Sequence, residues 1–170
     1  GVWDDFIVDT ILVNPGTYHE NINFLGKDIV LKSVDGPEET IISGIDQSSY
    51  TLTFETYENS STVVNGFTIS NEFNGGIFSF YSSPVISNCR IISNINGACY
   101  FVGSQATLDH VVIASNSSES GVGGIDAIFS HISLINNTIT NNSGSVGIIS
   151  LENTEMTILN SIIWNNNSDD

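Results

Sequence analysis

The side chains of this 170-residue sequence that could do chemistry are few: three histidines, two cysteines, one arginine and 19 carboxylates. His19, His110 and His131 show no His-x-His or His-x3-His spacing that would place two imidazoles on one ion, so a zinc-type site is not indicated. Asp35, Glu38 and Glu39 share the segment VDGPEET, an oxygen-rich set of the kind calcium takes, but its Pro and Gly mark it first as a turn. Asp4-Asp5 reads as a solvated cap, and Asp46 finds no partner in the pattern. No cofactor is expected; calcium is admitted ahead of zinc, and no residues are assigned to it. Cys89 and Cys99 fall at apolar-phase positions and read as buried thiols, since two cysteines cannot build a disulfide framework. A different candidate is formed by Phe78, Phe80, Tyr100 and Asp126, which alternation places on the outer face of neighbouring strands, with Ile149 and Leu151 continuing the stripe. Exposed rings of this kind stack on sugar faces, and an apolar stripe can equally lie against a neighbouring chain or a covering loop. A one-residue slip would turn all of it inward.

The elements that must position these residues are announced by a recurring phrase. VNGFTISN (64–71), ISNCRIISN (86–94), LDHVVIASN (108–116), LINNTITNN (134–142) and ILNSIIWNN (158–166) repeat an isoleucine at 69, 91, 113, 139 and 163, in steps of 22, 22, 26 and 24 residues. A period of that length is one turn of a β-solenoid. Aligned on the isoleucines, each copy separates into three short alternating runs, which is strand periodicity. The first run is GIFSF (76–80), ACYFV (98–102), GIDAI (124–128) and GIISL (147–151). The second carries Pro84/Ile86, Ala106/Leu108, Ile132/Leu134 and Met156/Ile158; the third holds the isoleucine, with Phe67, Cys89, Val111, Asn137 and Ser161 two residues before it. Three parallel strands per turn enclose a narrow filled core.

Between the second and third runs stands the column Gly66, Asn88, His110, Asn136, Asn160. Gly and Asn tolerate the left-handed backbone of a sharp corner, and stacked asparagines can bond one another's amides, so the column is read as a structural corner ladder with His110 substituted into it. The amino-terminal region fits with less regular spacing: runs at Ile11/Val13, Ile22/Phe24 and Ile29/Leu31 make one coil, with Asn14-Pro15-Gly16 and Leu25-Gly26-Lys27 as corners. A second coil runs from TIISG (40–44) to GFTISN (66–71), and its long connections, 45–50 and 55–61, are its excursions. About six coils result, a rod on the order of 30 Å long at roughly 4.8 Å per rung.

Charge narrows the partners. Lys27, Lys32 and Arg90 are the only cations, and the net charge is −16. Nucleic acid and anionic membrane surfaces are disfavoured, because both are bound by neutralising phosphates with basic side chains. No stretch approaches the roughly 18 apolar residues of a membrane-spanning helix.

The segment VNPGTYHENINFLGKDIVLKSVDGPEETIISG (13–44), followed by GFTISN and GGIFSFYSSPVISNCRIISN, resembles the right-handed parallel β-helix repeat proteins of the pectate-lyase-like superfamily, from about Thr10 to Asn166. The resemblance implies an all-β, right-handed parallel β-helix in a secreted or surface-exposed protein, and a first-strand face that carries substrate in polysaccharide-acting relatives. Chemistry is not carried over with it. A lyase-like site would need clustered carboxylates for calcium and a base, yet the single arginine, Arg90, lies in the outward third-strand column Thr68, Arg90, Val112, Thr138, Ile162. A hydrolase would need two facing carboxylates, and the first strands offer only Asp126.

The sequence therefore reads as one β-helix domain over 1–170: a cap at 1–9 with Trp3 over the first rung, coils over 10–166 and a tail at 167–170. The expected function is a non-catalytic carbohydrate-binding or adhesion module for a polysaccharide or cell-surface glycan, contacting it through Phe78, Phe80, Tyr100 and Asp126. The alternatives are a polysaccharide lyase or hydrolase, or a fragment of one, and a structural stalk. IIWNNNSDD leaves the last rung open, which suits either a piece of a longer rod or self-association through that rung.

Overall fold

The computed structural model describes residues 8–145 and 147–168. The expected cap residues Val2, Trp3, Phe6 and Ile7 lie outside them. The described residues contain no helix, and their main strands fall into three parallel sheets. Sheet A stacks Asp9–Val13, Ile29–Ser33, Val63–Asn65, Val85–Ser87, Thr107–Asp109, His131–Ile135 and Glu155–Leu159. Sheet B stacks Gly16–His19, Thr40–Gly44, Thr68–Asn71, Arg90–Asn94, Val112–Ala114, Thr138–Thr140 and Ile162–Trp164. Sheet C stacks Ile22–Asn23, Leu52–Phe54, Ile77–Phe80, Cys99–Val102, Val122–Ile128 and Gly147–Glu152. The chain visits A, B and C in turn, so the protein is a parallel β-solenoid of about six turns, with the sheets A and B of one further rung. Ser117–Ser118, Ser143–Gly144 and Asn167–Ser168 form a short fourth strip between B and C, which carries regular structure into the expected tail.

Alternation builds the core. Ile86, Leu108 and Leu134 from A, Ile69, Ile91, Ile113 and Ile139 from B, and Ile77, Phe101 and Ile125 from C are fully buried in one continuous cluster. Each such side chain contributes about 1.5–3 kcal/mol relative to exposure. Phe24 and Phe54 stack inside it at 4.4 Å between centroids. At the far end Ile158, Leu159, Ile162, Ile163 and Trp164 are exposed.

Two expected registers are corrected. Gly16–His19, of which the sequence reads Gly16 as the end of a corner and assigns the rest to no run, is the sheet B strand of the first coil and pairs with Thr40–Gly44, while Ile29–Ser33 pairs with Asp9–Val13 and opens the second coil. GTYH presents Tyr18 as its only large apolar group, so its alternation is invisible in the sequence. In the last sheet C strand Ile149 pairs with Ile125 and packs against the core, one residue out of the expected phase. The pairing shifts between Val122 and Ile125, so that Asp126 pairs with Ser150 and Ile128 with Glu152, in place of Ile149 and Leu151.

From Tyr81 onward each corner follows one rule: a residue in the left-handed region is followed by one whose side chain turns inward. The A-to-B corner holds Gly66, Asn88, His110, Asn136 and Asn160, all at positive φ, as expected. The buried hydrogen-bonded ladder, however, is made by the residues that follow the corners, while at the surface the corner residue Asn165 donates through Nδ2 to Asn141 Oδ1. Backbone N–H groups of Phe67, Val111 and Asn137 donate to Cys89 Sγ, Asn137 Oδ1 and Ser161 Oγ of the next rung. The B-to-C corner, Ser93, Ser115, Asn141 and Asn165, is followed by an asparagine ladder. The N–H and Nδ2 of Asn94 donate to Asn116 Oδ1, those of Asn116 to Asn142 Oδ1, and those of Asn142 to Asn166 Oδ1, at 2.8–3.0 Å. At the head of the ladder Asn71 instead accepts the N–H groups of Phe73 and Asn74, and Asn94 Oδ1 is left buried without a partner among the described residues. The C-to-A corner runs Leu25, Tyr57, Tyr81, Gly103, Phe129 and Asn153, followed by Gly26, Glu58, Ser82, Ser104, Ser130 and Thr154.

Candidate functional site

Sheet C presents the expected stripe. Phe78, Tyr100 and Asp126 pair in one outward column and Phe80, Val102 and Ile128 in another, while Ile77, Ser79, Cys99, Phe101, Ile125 and Ala127 between them are buried. Phe78 is half-buried because its ring is flanked by Tyr50, at 5.4 Å between centroids, and by Tyr100, at 5.7 Å. Phe78 also stacks on Phe80 at 6.5 Å; Phe80 meets Tyr81 edge-on at 4.5 Å, and Tyr81 lies 6.4 Å from Tyr57. The result is one strip of six rings, where sequence reasoning named three.

Tyr50, Tyr57 and Tyr81 escaped because no alternation marks them: two lie in excursions and the third at a corner. Both excursions are pinned by polar groups. Asn21 Oδ1 accepts the N–H groups of Ile45 and Asp46 at 3.0 Å, and its Nδ2 donates to the carbonyls of Ser49 and Tyr50 at 3.2 and 2.9 Å. Gly75 lets the Tyr50 ring lie on the backbone, since a Cβ there would sit 2.4 Å from it. Burial pushes the Tyr50 phenol up to about 12, with Tyr100, Asp126 and Cys99 adding to the shift, so Tyr50 stays a neutral hydroxyl. The second excursion hangs on Glu58, 1% exposed, which accepts from the N–H groups of Gly26 and Thr56 and from Ser82 Oγ at 2.7–3.0 Å. Burial alone would raise its pKa, but the bonds from Ser82, Gly26 and Thr56 outweigh it and leave the carboxyl below its ordinary value.

Concavities flank the strip. A cleft of about 450 Å³ lies at the Tyr50 and Phe78 end, lined also by Asn21, Asn23, Asp46 and Glu55. A smaller one of about 140 Å³ lies beside Tyr50, Tyr100 and Asp126. Phe80, Tyr81 and Tyr57 are the open part, 40%, 54% and 77% exposed.

The other candidates are dispersed. Arg90 stands in the outward sheet B column with Thr68 and Val112 and pairs with Glu38 of the VDGPEET turn at 2.6 Å. His110 Nδ1 lies 2.7 Å from Asp109 Oδ1, and His131 Nε2 3.6 Å from Glu155 Oε2. A shallow hollow of about 480 Å³ joins Arg90, Glu38, His110 and Val112. Such surface pairs contribute about 0–1 kcal/mol each. Among the described residues no three His, Cys, Asp or Glu side chains are placed to hold a metal ion. Cys89 and Cys99 are buried free thiols; burial pushes Cys89 up to about 11 and Cys99 well above its ordinary value.

No protein-family model, characterised protein or solved structure significantly matches the chain.

Proposed function

We propose that this β-solenoid is a secreted or surface-exposed carbohydrate-binding or adhesion module of the pectate-lyase-like kind, which holds a polysaccharide on the aromatic strip of sheet C without catalysing its cleavage. The observation that carries the reading is the continuity of six rings on one outward face, from Tyr50 through Phe78, Tyr100, Phe80 and Tyr81 to Tyr57. Phe78, held between two neighbours, is the keel of the strip. Phe80, Tyr81 and Tyr57 offer the exposed ring surface on which the C–H faces of a sugar can stack, and Tyr100 and Asp126 border it. A net charge of −16 argues for glycans without carboxylates, since a polyuronate would be repelled.

Affinity electrophoresis against a panel of neutral polysaccharides tests this. Retention should be present in the wild type and lost in the Tyr57→Ala/Tyr81→Ala variant. Absence of retention, or retention unchanged in the variant, defeats the proposal; release of unsaturated or reducing ends with calcium present would replace it with a lyase or hydrolase.

A further inference from the structure

We propose that the cleft at the Tyr50 end of the strip selects an amino sugar, a glycan whose units carry a protonated amine. The inference rests on the glycan reading and adds the substrate class. At about 450 Å³ the cleft falls within the range of small-ligand pockets. Its lining combines the rings of Tyr50 and Phe78 with the amides of Asn21 and Asn23 and the carboxylates of Asp46 and Glu55, and among the described residues no basic side chain lines it. Rings and amides are what any sugar requires. Two carboxylates without a neighbouring cation are not: they favour a positive group, and an ammonium over a ring face gains a cation–π contribution as well.

The carboxylates are held in place. The hydroxyl of Ser48 donates to Asp46 Oδ1 at 2.7 Å and the Ser48 N–H at 2.8 Å, and these bonds keep the Asp46 carboxyl below its ordinary range. Asn23 Nδ2 donates to Glu55 Oε1 at 2.7 Å. Asp126, beside Tyr100 at the smaller cleft, repeats the pairing of ring and carboxylate at the other side of Tyr50. Calcium takes 6–8 oxygen ligands, and among the described residues no three His, Cys, Asp or Glu side chains are grouped for a metal ion.

Calorimetry with three tetrasaccharides of one linkage tests this: glucosamine, N-acetylglucosamine and glucose, below the amine's pKa and at physiological salt. The glucosamine tetramer should bind at least tenfold more tightly than the other two. Asp46→Asn/Glu55→Gln should abolish that preference while keeping the weaker binding of the neutral tetramers. Because this variant removes two of 19 carboxylates, attraction to the general negative charge would survive it. Equal binding of all three tetramers by the wild type, a preference that persists in the variant, or equally tight binding of tetralysine overturns the inference and leaves the glycan reading standing. If no tetramer binds, the glycan reading falls and the inference with it. Far-UV circular dichroism of the variant confirms that it folds; both side chains are exposed.

Discussion

Replacing Asn116 by alanine should be among the most damaging single changes in this protein. Its Oδ1 accepts from the Asn94 N–H at 3.0 Å and from Asn94 Nδ2 at 2.8 Å, and its Nδ2 donates to the Ile91 carbonyl at 2.9 Å and to Asn142 Oδ1 at 2.8 Å. All these groups are buried. Asn94 Nδ2 retains the carbonyls of Ile69 and Ile92, Asn142 Oδ1 retains the Asn116 N–H, and the Ile91 carbonyl stays in the parallel ladder that pairs Ile91 with Ile113 and Ile92 with Ala114, so one group is orphaned: the Asn94 N–H. At about 1–3 kcal/mol for an unsatisfied buried group, the loss is roughly 1–3 kcal/mol. That is a large share of a stability on the order of 5–15 kcal/mol. Asn88→Gly is the control: Asn88 is an exposed corner at φ 51°, where glycine is equally at home, and the change should stay within about 0.5 kcal/mol. Urea unfolding with a common slope measures both. A loss below about 1 kcal/mol for Asn116→Ala, or an equal loss for Asn88→Gly, refutes the assignment of the ladder to the residues after the corners.

Other consequences are equally direct. Glu58→Gln turns one acceptor oxygen into a donor facing donors, and should cost about 1–3 kcal/mol at neutral pH. The Glu58 pKa is lowered on folding, so its stabilisation is full above the unfolded-state pKa and is lost as pH falls through the folded value. Urea midpoints measured from neutral to acid pH should therefore fall less steeply in Glu58→Gln than in the wild type, and parallel curves would count against the role given to Glu58. Gly75→Ala drives a Cβ into the Tyr50 ring and should weaken tetrasaccharide binding at least fivefold in calorimetry while the circular dichroism spectrum is kept. Both thiols, buried and shifted upward, should resist a thiol reagent at pH 8 until the protein is unfolded, and rapid native labelling would contradict their placement.

Much of the fold was legible because a solenoid repeats its demands. The isoleucines at 69, 91, 113 and 139 stack in one buried column, and the outward column Thr68, Arg90, Val112, Thr138, Ile162 pairs as the alternation required. The corner asparagines were also legible, as residues with positive φ. What could not be read was which of two adjacent asparagines carries the buried ladder: in Asn141-Asn142 the first meets Asn165 at the surface and the second bonds inward, and composition is the same for both. The strand Gly16–His19 hid for lack of apolar alternation, and Ile149 slipped because the pairing shifts after Val122. At the candidate site alternation found Phe78, Phe80 and Tyr100 but not Tyr50 or Tyr57. Those two are brought to sheet C by Asn21 and Glu58, whose contacts span 29 and 32 residues in sequence and leave no periodic trace.

The choice of corner residues gives an independent argument for the sheet C edge as the working surface. Two corner columns use Gly, Asn, Ser or His in the left-handed region, whereas the C-to-A column places Leu25, Tyr57, Tyr81 and Phe129 there, with φ between 47° and 62°. Bulky side chains at such angles cost on the order of 1 kcal/mol each relative to glycine or asparagine. Burial does not offset this, for the four are 67%, 77%, 54% and 60% exposed. Strain of that kind is a pointer to function where another observation agrees, as it does for Tyr57 and Tyr81 on the ring strip and not for Leu25 and Phe129. Phe129→Asn and Tyr57→Asn should therefore each raise stability, by about 0.5–1.5 kcal/mol, a rise of a few degrees in melting temperature for a chain of this length. Only Tyr57→Asn should also weaken glycan retention, because Tyr57 touches the ring strip through Tyr81. If Tyr57→Asn destabilises the protein, its ring serves the fold and the strain argument for function fails; if it stabilises the protein and retention is unchanged, the strip ends at Tyr81.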